Sequence, residues 1–483
     1  MVNLDDIIAA ISTPVGEGGI GIVRMSGPES LTILQKIFVR GGAAQGRPLQ
    51  SRTLHYGHIC DPASGERIDE VLAAFMPAPH TYTRQDVAEI QAHGGIVPLQ
   101  RILALVLRQG ARLAEPGEFT LRAFLHGRLT LDQAEAVLDV VQARTAAALR
   151  VAVDQLGGRL TGPVRALRGD LLAALAYLTA VIDFPEDEIP PHDVAATLRD
   201  ASQRVADLLA TADQGRVYRQ GVRTAIVGRP NVGKSSLLNA LLRESRAIVT
   251  PVPGTTRDTL EEVLNLRGVP FVLVDTAGIT HSDDLVEKLG VERSQRAIAQ
   301  ADLVLLVIDG SEPLEERDRA IAGLVGDRMA LLVVNKSDLP AVADPATVQS
   351  LLPPSAGITP HPGPLPIGER GRGEGRCGAT VVRLSALTGE GLDALESAMV
   401  EAVLGGRVLT SDAALVTNPR HQEALSRAGA SLASAERALA DGLPLDCASI
   451  DVTEAVSALG EITGETVSED LLDTIFSRFC LGK

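Results

Sequence analysis

The sequence lacks three features that define whole classes of protein: a framework of paired cysteines, an apolar run of membrane length and a surplus of basic residues. Its four cysteines are scattered and match neither a disulfide framework nor a zinc-ligand spacing, which fits a reducing compartment. The longest apolar run, 171–182, falls short of the ~20 residues of a membrane helix. Lysine and arginine number 45 against 61 aspartates and glutamates, and the formal charge of −16 disfavours non-specific binding to a polyanion. A nucleic-acid substrate would therefore need a local basic patch or a partner protein.

The N-terminus carries no basic segment before its first short apolar run, so we expect no targeting sequence and a cytoplasmic location. A chain of 483 residues with 45% apolar content has room for about three domains. Short strands separated by glycine, proline and polar turns predict an α+β domain at the start. Its predicted strands are 7–12, 19–25, 52–60, 70–76 and 87–92, with a helix over 99–108.

Helical patterns dominate the next hundred residues. Thr130 and Gln133 form a capping box, and apolar residues follow at helical spacing as far as Leu156, where two glycines end the run. Two more helices are predicted, over 160–182 and 193–214. Helical patterns return after residue 405, and the predicted helices there are 424–440, 450–459 and one that begins at Ser468.

Between these helical regions, apolar strands alternate with helices, which predicts a doubly wound parallel sheet. The strands are 225–227, 271–274, 303–308, 330–334 and 380–384. Residues 353–378 are dense in proline, glycine and arginine and predict a disordered insertion. The expected fold is therefore α+β, α/β and all-α, with the α/β domain inserted into a discontinuous helical domain. The predicted boundaries are 1–121, 122–220, 221–403 and 404–483.

A phosphate-binding motif lies at the centre of the predicted α/β domain. Residues 228–236 read G-R-P-N-V-G-K-S-S, after an apolar strand and before a helix, and this context distinguishes a phosphate site from an ordinary glycine turn. Gly228 and Gly233 allow the backbone N–H groups to converge on one anion. Lys234 is expected to reach the β and γ phosphates, and the Ser235 hydroxyl to ligate Mg²⁺.

Three further motifs specify the nucleotide. Asp338 of an N-K-S-D sequence can accept two hydrogen bonds from guanine, whose donor pair adenine lacks, and a later S-A-L sequence accompanies it. A D-T-A-G sequence places Asp275 near Mg²⁺ and the Gly278 amide near the γ phosphate, while Thr256 is expected to complete the magnesium shell. These motifs predict GTP binding. The motif residues are Asn231, Val232, Gly233, Lys234, Ser235, Ser236, Thr256, Asp275, Thr276, Ala277, Gly278, Asn335, Lys336, Asp338, Ser385, Ala386 and Leu387.

The hydrolytic step needs a group that the motifs do not supply. Ile279 stands where many GTPases carry a glutamine that orients water, and isoleucine cannot do so. Charge stabilisation of the kind an arginine finger provides is worth about 10³ to 10⁵ in rate. Either Arg257 supplies it from within the chain or a bound monovalent cation does. The polar stretch 280–287 is the nearest source of a group that orients water.

Taken together, these residues resemble the bacterial tRNA wobble-uridine modification GTPases of the MnmE (TrmE) family, among the TrmE-Era-EngA-like GTPases, over nearly the whole chain. The most specific segments are 13–24, 116–119 (P-G-E-F), 182–185 (I-D-F-P), the phosphate loop and 479–483 (F-C-L-G-K). The resemblance implies a homodimer formed through N-terminal domains and a FAD-dependent partner, MnmG (GidA). The complex would add a (carboxy)methylaminomethyl group to C5 of the tRNA wobble uridine, and GTP hydrolysis would drive a conformational change.

The resemblance also implies site residues. A 5-formyl- or 5,10-methylene-tetrahydrofolate would bind Arg24, Glu89, Arg128 and Lys483, with Arg128 standing where the family has lysine. K⁺ would replace an arginine finger, with Asn231, Thr250, Val252 and Thr255 as ligands. Glu287 matches the glutamate that positions water and would act with Lys234 and Thr256 in catalysis. The cation loop consists of Thr250, Pro251, Val252, Pro253, Gly254 and Thr255.

A rival interpretation is a GTP-dependent switch that assists ribosome assembly. The folate-like N-terminal domain and the C-terminal motif favour the enzyme, because an assembly switch more often carries a basic RNA-binding domain.

Overall fold

A computed structural model describes residues 4–14, 16–41, 48–186, 189–245, 262–274, 295–352, 380–405 and 414–482. Its first layer is a seven-stranded sheet in the order β3-β4-β5-β6-β2-β1-β7, antiparallel except where β7 runs parallel to β1. The strands are β1 Ile8–Ile11, β2 Gly18–Ser26, β3 Phe38–Arg40, β4 His55–Cys60, β5 Arg67–Met76, β6 Val87–Gly94 and β7 Arg112–Leu113. The five predicted strands are confirmed, and the short β3 and β7 were not predicted.

Two helices, α1 Ser30–Ile37 and α2 Ile96–Arg108, pack on one face of this sheet. The helix predicted over 99–108 is confirmed and begins three residues earlier. The opposite face leaves apolar side chains exposed, with Val39, Tyr56 and Leu72 each more than a third accessible. That face is covered near β1, where Ile8 and Ala10 pack with Ala114 and Phe119, and it is open at the end formed by β3, β4 and β5.

The helical region is formed by two stretches of the chain, one before and one after the strands of a second sheet. Its helices are α3 Glu118–Leu125, α4 Leu131–Gln142, α5 Ala146–Leu156, α6 Thr161–Asp183, α7 Val194–Leu209 and α8 Ala212–Gln220, then α13 Pro419–Ala440, α14 Leu445–Thr463 and α15 Glu469–Phe476. Side chains of α6, α7, α13 and α14 form one apolar core. The prediction of a discontinuous helical domain is confirmed by this shared core. Among the residues described, no helix has the length and apolarity needed to cross a membrane.

Two of the predicted helices are each divided into two in the structure, and the helices predicted over 424–440 and 450–459 are longer, starting at Pro419 and Leu445. The run from Thr130 to Leu156 is two helices, because the chain leaves helical geometry at Ala143 and Thr145 caps α5 by accepting a hydrogen bond from Ala148 N. The helix predicted over 193–214 ends at Leu209, and α8 begins three residues later. The capping box of Thr130 and Gln133 is confirmed.

The second sheet has six strands in the order β13-β12-β11-β8-β10-β9, parallel except for the β9–β10 hairpin. They are β8 Val222–Val227, β9 Glu262–Leu266, β10 Val269–Leu273, β11 Leu303–Asp309, β12 Ala330–Asn335 and β13 Thr380–Arg383. The accompanying helices are α9 Lys234–Ser245, α10 Glu316–Val325, α11 Pro345–Gln349 and α12 Leu392–Leu404. The five predicted strands are confirmed; β9 was not predicted.

Both faces of this sheet are covered. Alternate residues of β11 enter different cores: Leu303, Leu305 and Val307 on one side, Val304, Leu306 and Ile308 on the other. This double burial explains the unbroken apolar run in that strand. The insertion predicted over 353–378 lies outside the described residues.

Candidate nucleotide-binding site

The phosphate loop joins the buried strand β8 to helix α9 and turns at two glycines. Gly228 has φ +153° and Gly233 has φ +97°, which are conformations that other residues disfavour. A Cβ on Gly228 would lie 2.2 Å from Val307 O, and one on Gly233 would lie 2.1 Å from Asn335 Nδ2. Asn231, between them, is also left-handed, with φ 63°. The loop is therefore closely fitted to β11 and β12, and its amides lead into a helix N-terminus that favours anions.

Lys234 opens helix α9 and folds back over the loop. Its Nζ donates hydrogen bonds to Gly228 O at 2.9 Å and Arg229 O at 2.7 Å. Burial lowers the pKa of Lys234 to about 8. Burial leaves the Lys234 ammonium poorly solvated, and this disfavours its charged form. A phosphate close to Nζ would stabilise that charge. Ser235 and Ser236 are exposed at the start of the same helix.

Asn335 joins the phosphate loop to the guanine motif. It ends β12 and is buried, with Nδ2 donating to Val232 O at 2.8 Å and Oδ1 accepting from Ala386 N at 3.0 Å. Lys336 follows with φ 64° and places Nζ 2.6 Å from Asp309 Oδ2 at the end of β11. These contacts bring the phosphate loop, the N-K-S-D sequence and the S-A-L sequence to one edge of the sheet, as predicted for the carboxyl ends of parallel strands.

The groups expected to meet the base are accessible. Asp338 is exposed, and Leu387 is 85% exposed. Ser385 is buried, and its Oγ accepts a hydrogen bond from Thr388 N that shapes the turn carrying Leu387. Burial acts to raise the pKa of Asp309, but hydrogen bonds from Lys336 and from Ser311 outweigh it and hold that pKa below its usual value. Asp309 therefore stays ionised and anchors Lys336.

Sequence reasoning missed one side chain of the phosphate loop. Arg229 is buried and extends away from the loop to the start of α10, where it meets Glu312, Glu315 and Asp318. Its position inside the motif is one that the pattern leaves variable, so the motif carries no signal for it.

Several predicted site residues lie outside the described residues. They are Thr250, Pro251, Val252, Pro253, Gly254, Thr255, Thr256, Asp275, Thr276, Ala277, Gly278, Glu287 and Lys483. Arg257 and Ile279 lie there too. In the part of the chain that the structure does describe, no three His, Cys, Asp or Glu side chains are grouped so as to hold a metal ion.

A second cluster lies on the N-terminal sheet. Arg24 on β2 faces Glu89 on β6, with Nε 2.8 Å from Oε1, and its guanidinium carbon lies 5.8 Å from the Phe119 ring centre. The Arg128 guanidinium carbon lies 4.7 Å from the Tyr82 ring centre, and Nη1 donates to Tyr82 O at 3.2 Å. Burial raises the pKa of Tyr82, and the positive charges of Arg128 and Arg24 both act against that rise. Both arginines are therefore close to the same phenol.

The C-terminal segment reaches this cluster. Cys480 O accepts a hydrogen bond from Gly117 N at 3.4 Å, just before the helix that carries Phe119. Gly482 has φ +89°, and a Cβ there would lie 2.6 Å from Ile11 O, at the end of β1. Strand β1 pairs with β2, on which Arg24 lies. The structure thus brings together three of the four predicted folate residues, namely Arg24, Glu89 and Arg128. The last residue that it describes, Gly482, lies near them.

Comparison with known proteins covers nearly the whole chain. A family model described as the MnmE helical domain matches residues 131–480, and one described as the GTP-binding protein TrmE N-terminus matches residues 7–128. A tRNA modification GTPase MnmE of Chloroflexus aurantiacus is 52% identical, over 99% of this chain and 100% of its own length. Its counterpart in Desulforamulus reducens is 44% identical over the same shares.

Among solved structures, the G domain of the T. maritima FeoB iron transporter is 26% identical over 38% of this chain and 98% of that chain, with a TM-score of 0.24. A score that low supports no conclusion by itself. The family models and the full-length relatives agree with the joined phosphate and guanine motifs, and the chain therefore belongs to the MnmE family of tRNA modification GTPases.

Proposed function

We propose that this chain is a K⁺-activated GTP hydrolase that acts in tRNA wobble-uridine modification with a FAD-dependent partner, MnmG (GidA). The complex adds a (carboxy)methylaminomethyl group to C5 of the uridine, and the carbon comes from a 5-formyl- or 5,10-methylene-tetrahydrofolate. The observation that carries the GTPase part is Asn335, whose amide joins Val232 of the phosphate loop to Ala386 of the base-side loop. One side chain thereby fixes the distance between the phosphate and guanine subsites.

The phosphate subsite is supported by its charge and backbone. Gly228 and Gly233 let the loop adopt dihedrals that direct N–H groups toward one anion, and Lys234 supplies an ammonium with a pKa of about 8. Nucleotide binding would draw that ammonium from the carbonyls of Gly228 and Arg229 toward the β and γ phosphates. The Ser235 and Thr256 hydroxyls would hold Mg²⁺, which neutralises charge on the phosphates when bound.

We assign the remaining charge stabilisation to K⁺. The proposal rests on the resemblance, which points to Asn231, Thr250, Val252 and Thr255 as ligands, and on the left-handed backbone and exposure of Asn231. Asn231 is an exposed residue of the phosphate loop, and a second copy of the domain would complete the coordination shell there. Glu287 would orient the attacking water in place of the glutamine that Ile279 replaces.

The test of this part compares cations at equal ionic strength. Dialysed protein is expected to hydrolyse GTP much faster in KCl than in NaCl, because only an ion of the right radius fits ligands held at fixed positions. Equal rates would remove the cation mechanism and return Arg257 to consideration.

The N-terminal cluster is proposed as the folate site. Arg128 stacks on the half-buried ring of Tyr82, Arg24 stacks on Phe119, and the C-terminal segment ends nearby, so that Lys483 would complete a set of cations suited to folate carboxylates. Arg128 offers a planar fork where the family has an ammonium, and its stacking on Tyr82 uses that planarity. Glu89 would accept hydrogen bonds from the pterin while holding Arg24 in place.

We propose that the homodimer forms through the open end of the N-terminal sheet, at β3, β4 and β5. Val39, Tyr56 and Leu72 are exposed there, and Tyr56 and Leu72 are direct cross-strand neighbours. Titration calorimetry with 5-formyltetrahydrofolate tests the folate assignment. Measurable heat with the native chain and none with Arg24→Ala is the expected result. No heat from the native chain at high protein concentration would refute the folate assignment.

A further inference from the structure

Arg229 ties the phosphate loop to a neighbouring acidic segment. Its Nη1 lies 2.6 Å from Glu315 Oε1, its Nη2 lies 2.5 Å from Glu312 Oε2, and its Nε lies 3.4 Å from Asp318 Oδ2. The arginine side chain is only 10% exposed, whereas those of Glu312 and Glu315 are about half exposed. The guanidinium is thus largely withdrawn from water: its two Nη atoms donate hydrogen bonds to Glu315 and Glu312, and its Nε faces Asp318 as an ion pair without a hydrogen bond.

Two of those carboxylates are themselves fixed by helix α10. Glu315 is its N-cap and Asp318 its N3 residue, and each side chain accepts a hydrogen bond from the other's backbone N–H in a capping box. Asp318 is 2% exposed. Because the helix holds these acceptors still, Arg229 meets a preformed site. Glu312 stands apart, since it lies before the helix and takes no part in its capping.

The same segment reaches the guanine motif at its other end. Residues 309–318, here named the acidic bridge, begin with Asp309, which binds Lys336 Nζ at 2.6 Å. Gly310 N donates to Asn335 O at 2.9 Å, and Gly310 O accepts from Val342 N at 3.0 Å. The acidic bridge therefore contacts the phosphate loop through Arg229 and the N-K-S-D sequence through Asp309 and Gly310.

The backbone of Arg229 is also in contact with the side chain expected to bind the phosphates. Its own carbonyl oxygen accepts the 2.7 Å hydrogen bond from Lys234 Nζ, and Asn231 follows two residues later in a left-handed conformation. Left-handed backbone at a non-glycine residue is unfavourable and persists only where its surroundings impose it. A side chain anchored outside the loop is the kind of restraint that can impose it.

We propose that Arg229 is a positioning residue for nucleotide binding, which holds the phosphate loop against the acidic bridge so that the loop is formed before the nucleotide arrives. The inference rests on GTP being the ligand of this loop. Preorganisation lowers the ordering cost of binding, so it raises the affinity for any nucleotide with the right phosphates. GDP and GTP should therefore be affected alike, and turnover at saturating GTP should change little.

The experiment measures dissociation of a fluorescent GDP analogue by stopped flow, and KM and kcat for GTP, in the full chain. Arg229→Ala is expected to speed dissociation at least tenfold and to raise KM by a similar factor, with kcat within about twofold, because the catalytic groups are untouched. Arg229→Lys keeps the charge but loses the fork and should recover part of the loss. Arg319→Ala, an exposed arginine one residue beyond Asp318, is the matched control and should behave like the native chain.

Glu312→Gln keeps the proposal testable if Arg229→Ala fails to fold. Because Glu312 is half exposed and does not cap α10, its change removes one contact to Arg229 and leaves the helix intact. It should speed dissociation about threefold, and adding it to Arg229→Ala should add nothing further. Native dissociation rates in both variants, or an equal effect from Arg319→Ala, would overturn the proposal. Failure of the native chain to bind the GDP analogue would instead refute the nucleotide assignment itself.

Discussion

Replacing Glu135 with glutamine should loosen the joint between the two halves of the helical domain. Glu135 lies on α4 and is 7% exposed. Its carboxylate accepts hydrogen bonds from Asn418 Nδ2 at 2.8 Å, Arg420 Nη2 at 2.6 Å and His421 Nε2 at 2.8 Å. These three partners stand where the chain returns to the helical region after the second sheet. Glu135→Gln preserves the shape of the side chain but removes the charge that these donors face.

The expected magnitude follows from burial. Removing one member of a buried, hydrogen-bonded ion pair costs about 3 to 5 kcal/mol, because the remaining charge stays desolvated. At 1.4 kcal/mol for each factor of ten, the opening equilibrium of this joint should rise at least about 100-fold. Burial acts to raise the pKa of Glu135, but His421 and Arg420 outweigh it, so the pKa lies well below the value of 4.5 that glutamate has in an unfolded chain. The stabilisation is therefore complete above pH 4.5 and is lost as the pH falls below it.

Hydrogen exchange followed by mass spectrometry measures the effect where it arises. At pH 7, peptides from α4 and from residues 414–425 should exchange at least about 100-fold faster in Glu135→Gln, while peptides from the N-terminal sheet keep their native rates. Glu423→Gln, an exposed carboxylate on α13, is the control and should leave all rates unchanged. Exchange within threefold of native in the joint peptides would refute the reasoning.

Three other predictions concern the phosphate loop and its surroundings. Gly233→Ala should lower GTP affinity at least 100-fold by calorimetry, because its Cβ would overlap Asn335 Nδ2, whereas Gly323→Ala, with open space around it, should bind normally. Bound phosphates should raise the pKa of Lys234 from its value of about 8. GTP affinity should therefore be full below pH 8 and decline between pH 8 and 9, and proton uptake should appear as a heat of binding that depends on the buffer. A GTP affinity that does not change with pH would contradict this. Thr145→Ala should cost about 1 kcal/mol and expose α5 to faster hydrogen exchange, since the hydroxyl caps α5 and donates to Gly268 O at 2.9 Å, while Thr145→Ser should not.

Local chemistry made the phosphate and guanine motifs predictable. A glycine at φ +97° beside a lysine that opens a helix is a property of a few adjacent residues, and so is the capping box of Thr130 and Gln133. The apolar strands were equally visible, because a strand buried on both faces has to be apolar along its length, as β11 is. Such features depend on neighbours in the chain.

The break between helices α4 and α5 at Ala143 could not be predicted from the local sequence. Every residue from Thr130 to Leu156 tolerates a helix, so periodicity alone predicts a single run. The structure divides the run at Thr145, whose hydroxyl donates a hydrogen bond to Gly268 O at the tip of the β9–β10 hairpin, more than a hundred residues later in the chain. Tertiary contact therefore overrides local propensity at that point.

The two charged clusters, around Arg229 and around Glu135, could not be predicted because their members lie far apart along the chain. Arg229 meets carboxylates 83 and 86 residues away, and Glu135 meets Arg420 across 285 residues. No spacing rule connects such positions. Their placement nevertheless has a common physical basis, since each pairs a buried charge with a segment that returns from elsewhere in the chain, and each would leave that charge buried and unpaired if its partner were removed. Buried ion pairs of this kind contribute little through attraction alone, but the loss of one partner from the folded structure is costly. They are consequently suited to holding a loop or a domain joint in one arrangement.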